Sequence, residues 1–215
     1  MLENGFKQII RADHVAQSVV VGGDITPLRA IIFDGPVALV EWMEPNMETV
    51  YRYSSVLFRI AEYINTNPVE SASIQAPWLN RYGGSDLSVD DVQTIYKNID
   101  PFFGYYDQHE WYNDKSSPYY WEYFTQTIID SFVEAGTFKE GEYTVEEINW
   151  SHKIYNELEN YRLETDSLIA EHEDEINEAG GSAKEFLDAA KYQYSIFNFY
   201  DANRFMKEAV RLIGE

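Results

Sequence analysis

From Asn46 onward, apolar and polar positions recur with a helical period. In METVYRYSSVLFRIAEYI, Val50, Tyr53, Leu57, Ile60, Ala61 and Ile64 fall on one stripe at the three-and-four spacing of an amphipathic helix. The stripe breaks at Thr66-Asn67-Pro68. Asn67 is a capping residue, Pro68 suits a first helical turn, and Glu70 stands where a carboxylate reaches back to the cap N–H. A second helix is expected from about Pro68 to Arg81, stopped by Gly83-Gly84, and Ser88-x-x-Asp91 opens a third that runs to about Asn98. Thr144-Val-Glu-Glu147 reads as a capping box at the head of a long helix ending near Ala179, and Ser182-Ala-Lys-Glu185 opens the last helical section.

Before Asn46 the pattern is different. SVVV (18–21) and AIIFDGPVALVEW (30–42), either side of Gly22-Gly23, are rich in Val, Ile and Phe and read as short strands. The expected fold class is α/β, predominantly helical, with a few short N-terminal strands.

The last section holds two stripes, Phe186, Ala190, Tyr194 and Phe197, then Ala202, Phe205, Met206, Ala209 and Ile213. They predict a helical hairpin with Phe199-Tyr-Asp-Ala202 in its turn, resembling a single tetratricopeptide-type unit. One such unit cannot bury its own face, so it must pack on the rest of the chain or on a partner. Between Phe102 and Phe124 lies a segment dense in Tyr, Trp and Phe. Such density fills a core, or else forms a stacking surface for a cation or sugar.

Charge narrows the functional classes. The 215 residues include 37 acidic and 16 basic side chains, a formal net of −21, which disfavours nucleic acid and anionic lipid as partners. There is no cysteine, so disulfides, thiol catalysis and Cys-type zinc sites are excluded. No apolar run approaches the roughly 20 residues that span a bilayer, so this chain is expected not to insert into a membrane.

Catalytic signals are sparse. His14, His109, His152 and His172 show no metal-site spacing, and Asp107 with His109-Glu110 is a weak cation candidate. Glycine-rich phosphate loops and a nucleophile elbow are absent. The acidic run EHEDEINE (171–178) reads as a solvated helix face. No cofactor, no metal and no enzymatic activity are expected.

The residues AEYINTNP (61–68), WLNRYGGSDLSVDDV (78–92), NIDPFFGYYDQHEWYND (98–114) and GTFKEGEYTVEEI (136–148) follow one another in an order with a family resemblance. The chain resembles the C-terminal part of ABC-transporter solute-binding proteins of the nitrate/sulfonate/taurine type, which are similar in fold to thiamine-pyrimidine synthases. The resemblance covers roughly residues 30–165 and implies a partial lobe of the type II periplasmic-binding fold, so that the expected organisation is this lobe over 1–150 with the long acidic helix and the hairpin over 151–215. It implies a non-enzymatic component of an uptake system that closes on a small-molecule ligand and docks on an ABC permease. It also implies an extracytoplasmic location, with the export signal outside this chain. The cleft-facing turn would carry the ligand-binding residues Glu41, Trp42, Glu44 and Asn46. Each of three has an ordinary alternative: Trp42 in the core, Glu44 at a helix N-terminus, Asn46 as a cap. The competing reading of the whole chain is a helical protein-interaction module with no small-molecule ligand.

Overall fold

The structure is a computed structural model that describes residues 36–99, 104–117 and 120–214. Of these described residues, 79% are helical and none lies in a strand. The expected α/β lobe is therefore corrected to an all-helical fold over the described residues. Pro36–Leu39 has no regular structure, and Val40–Met43 forms one helical turn (α1), followed by a 3-10 turn at Glu44–Asn46. β-branched residues mark a strand only where a neighbour supplies the other half of the ladder. No such neighbour exists among the described residues. The runs at 18–21 and 30–35 lie outside them.

The described residues fall into two compact units, those within Glu41–Gln108 and Asn156–Glu215, and those within Met1–Val40 and His109–Tyr155. The first of these is built on α2 (Met47–Thr66), α3 (Pro68–Gly83), α4 (Val89–Ile99), most of α8 (Ser151–Ala179), α9 (Gly181–Ser195) and α10 (Phe199–Ile213).

The α2–α3 corner forms where the sequence places it, by a different device. The Asn67 side chain makes no capping bond; its backbone N–H donates to the Tyr63 carbonyl (2.8 Å) and its amide donates to Thr66 Oγ1 (2.9 Å). Beyond the corner, Ile64, Ala72, Ala76, Val92 and Tyr96 make a small core. Asn80 pins the α3–α4 loop through both ends of its amide, donating to the Leu87 carbonyl (2.9 Å) and accepting from the Leu87 N–H (2.7 Å). Gly84, at φ 64°, takes the left-handed conformation that ends α3.

The C-terminal hairpin is present, with its turn at Ile196–Asn198. Phe199-Tyr-Asp-Ala202 opens α10 instead of filling the turn, because Asn198 accepts the Asp201 N–H (3.4 Å) and caps the helix there. Leu187, Ala190, Met206 and Ala209 pack together and on Ile176 of α8, so the unit's own long helix supplies the surface the hairpin needs. Asn203, almost fully buried on α10, donates to Glu164 Oε2 (3.0 Å) and Thr165 Oγ1 (3.4 Å) of α8. These bonds satisfy a polar group that is costly to bury alone.

The second unit contains α5 (Gln108–Asn113) from His109 onward, α6 (Trp121–Glu134) and α7 (Val145–Ile148). Its core joins Tyr120, Trp121, Ile129 and Val145. The capping box at Thr144 forms with both of its bonds, 3.3 and 2.8 Å, but α7 lasts a single turn. Asn149 then restarts the helix by accepting the Ser151 N–H at 3.0 Å, so the long helix begins seven residues after the box opens.

Candidate functional site

α2 has two apolar faces. Tyr51, Ser55 and Phe58 point into the core. There Tyr51 meets the rings of Tyr161 (5.7 Å) and Tyr200 (5.5 Å), and Phe58 meets Tyr105 (5.2 Å). Tyr105 in turn lies 4.6 Å from Phe199, and its hydroxyl donates to Glu159, so part of the aromatic-rich segment does fill a core. At 100° per residue, Tyr53, Val56, Ile60 and Tyr63 fall on the opposite side of the helix. Those four side chains are each 40–50% exposed.

Of the stripe read in the sequence, Ile64 is buried while Tyr53 and Ile60 stay about half exposed. A helix apolar on most of its circumference has no unique inward face in one dimension. Which face turns inward is decided by anchors from distant sequence. Arg52 grips both carboxylate oxygens of Asp201 (2.8 and 2.9 Å), and Ser55 Oγ donates to the Ile196 carbonyl (3.0 Å). That paired guanidinium holds the Asp201 carboxyl below its ordinary range. Two guanidiniums, Arg52 and Arg204, also flank the Tyr200 ring at 5.2 and 5.5 Å.

α3 repeats the feature. Ala72 and Ala76 face the core, while Ile74, Trp78 and Tyr82 follow one another at four-residue steps and stay at least 60% exposed. Trp78 and Tyr82 lie ring to ring at 5.4 Å. At the corner, the Tyr63 hydroxyl hydrogen-bonds Glu70, which raises its pKa. Charge is balanced over Met47–Gly83, with three glutamates (Glu48, Glu62, Glu70) against three arginines (Arg52, Arg59, Arg81). In α8, nine carboxylates face two cations.

The four residues read as ligand-binding sit on the exposed stretch before α2. Glu41, Trp42 and Glu44 are exposed, Trp42 by 49%, and Asn46 donates its amide back to the Trp42 carbonyl at 2.7 Å. Trp42 is thus not a core residue, and Asn46 closes the preceding turn without capping α2. The three residues of the cation candidate are engaged separately: Asp107 accepts the Gly104 N–H (2.9 Å), Glu110 accepts the Ser117 hydroxyl (2.7 Å), and His109 lies 3.4 Å from Asn113 Nδ2. No group of three metal-ligating side chains occurs among the described residues.

In the second unit His152 stacks flat on Trp121 at 3.7 Å, with Nδ1 2.9 Å from the Asn149 carbonyl, and burial lowers its pKa. The hydroxyls of Ser151 and Thr125 are committed to Asn149 and to the Trp121 carbonyl. This arrangement locks a neutral imidazole in place and supplies no activated nucleophile. In EHEDEINE, Glu171, Asp174, Glu175 and Glu178 are exposed, while Glu173 pairs with Lys191.

The sequence reading missed Val56 and Tyr63 as surface residues. The sequence carries the signal, because Tyr53, Val56, Ile60 and Tyr63 stand at three-four-three spacing and share Tyr53 and Ile60 with the first stripe. No described helix is long and apolar enough to cross a membrane. The chain matches no family model, and no match to it was found among curated proteins or solved structures.

Proposed function

We propose that the chain is a non-enzymatic helical interaction module whose working surface is the outward apolar face of α2 and α3. One observation carries the reading. α2 presents four large, half-exposed apolar side chains in helical register on the side away from Tyr51, Ser55 and Phe58. Scattered exposed apolar residues are ordinary, but a contiguous stripe on one helix is the form in which a helix meets a partner surface. The small-molecule reading calls for an α/β lobe, and no strand occurs among the described residues.

A photoreactive side chain introduced at position 60 tests the proposal in the protein's native cell. It is expected to give a discrete protein adduct on irradiation, while the same group at position 171 on acidic α8 gives none. Equal labelling from both positions, or none from either, overturns the reading.

A further inference from the structure

Three helices of the second unit meet at the two residues between α7 and α8. Asn149 donates its side-chain amide to Thr125 Oγ1 of α6 (3.0 Å) and accepts the Ser151 N–H of α8 (3.0 Å). Its backbone N–H donates to the Val145 carbonyl of α7 (2.9 Å), and its own carbonyl faces His152 Nδ1 (2.9 Å). The His152 ring covers the Trp121 indole with the two planes only 4° apart, and Trp121 belongs to the unit's small core with Tyr120, Ile129 and Val145. We infer that this stack is a proton-operated clasp: the neutral imidazole holds the second unit closed at the α7–α8 joint, and the charged imidazole leaves the indole and lets the joint open.

The geometry makes charge costly in the closed form. A carbonyl only accepts, so Nδ1 carries the hydrogen of the neutral ring and Nε2 is the atom that takes the proton. His152 is the second residue of a 29-residue helix, where the positive end of the helix dipole opposes a cation. The ring is partly buried, and its neighbours from α6 and α5 are neutral: the Trp121 indole, and the Tyr112 hydroxyl, which burial keeps protonated beside Ser151. Lys153, next along α8, also opposes the proton, while Glu146 of α7 favours it. The indole face and Glu146 return part of the lost hydration, but burial outweighs them and holds the imidazole below its ordinary pKa. A ring that swings into water regains its hydration in full, so each proton taken up shifts the population toward the open joint.

The joint is also the place that yields first. α7 is a single turn, and the hairpin core of Leu187, Ala190, Met206 and Ala209 in the first unit shares no residue with the clasp. The second unit can therefore open locally while the hairpin stays closed.

Hydrogen exchange on the full chain tests the inference, at pH values about one unit above and about one unit below the ordinary imidazole value, with rates corrected for the intrinsic effect of pH. Protection over residues 121–125 and 145–149 is expected to fall several-fold at the lower pH, while Phe199–Ile213 keeps its protection. His152→Phe keeps a flat ring on the indole and cannot take a proton, so its protection is expected to be the same at both values. Equal protection of the parent at both pH values, or an equal loss in His152→Phe, overturns the inference. Should that variant not fold, NMR of the parent decides. The Cε1 proton of neutral His152 is expected upfield of the other histidines through the indole ring current, and the offset is expected to vanish on protonation. A protonated His152 that keeps the offset has not left the indole, and the clasp is then refuted.

Discussion

α10 and α2 both carry apolar residues at helical spacing, yet they use them differently. On α10, Ala202, Met206 and Ala209 are fully buried, and the outward side carries Arg204, Lys207 and Arg211. Folding accounts for every large apolar residue of its stripe. On α2, Tyr51, Phe58 and Ile64 are buried, while Tyr53, Val56, Ile60 and Tyr63 stay in contact with water. The lesson is that apolar periodicity reports a need for burial, and the partner that provides the burial need not lie in the same chain.

This comparison is easiest to break on the packed side. Leu187→Ala, in the fully buried hairpin core, is expected to cost about 3 kcal/mol, read as a lower urea midpoint at unchanged m-value. A loss below about 1 kcal/mol would mean the α9–α10 core is not packed as described.

Asp201→Ala removes the carboxylate that orients α2 against α10, with an expected loss of about 2 kcal/mol. Its folded pKa is depressed, so its contribution is fully present above the ordinary carboxylate value and is lost as pH falls through the folded one. Acid unfolding of Asp201→Asn is therefore expected to be less steep than that of the parent. Equal steepness would show that the Arg52 pair does not hold the helix face.

In the second unit, His152 gives the same sign of pH dependence by a different cause, burial of the imidazole. Its folded pKa lies below the unfolded value of about 6.5, so the unfolded chain binds the proton more readily. Stability is expected to decline as pH drops below about 6.5, with the slope ending once the folded form also protonates. His152→Gln is expected to flatten that part of the profile. Direct titration of the ring by NMR measures the shift, and an ordinary value would remove the cause.

The smallest effect sharpens the comparison most. In dilute protein, Ile60→Ser is expected to leave unfolding stability within about 0.5 kcal/mol of the parent. A loss near that of Leu187→Ala would place Ile60 in the core after all and withdraw the surface reading.

The local sequence determined much of the helical architecture. The turn chemistry of Asn67-Pro68 located the corner, Ser88 and Thr144 located helix starts, and Gly83-Gly84 located a helix end. These signals act within four residues of their target, so they survive without knowledge of the rest of the fold. Tertiary structure decided the remainder. A valine-rich run becomes a strand only if another strand pairs with it, and Val40–Met43, with no such pair among the described residues, became a helical turn. A helix apolar on two sides turns inward the side that distant residues hold, here Asp201 and Ile196, well over a hundred residues away in sequence. The candidate surface was for the same reason only half legible. The sequence states that Tyr53, Val56, Ile60 and Tyr63 share a face, and only the packing of α8 and α10 on the other side leaves that face in water.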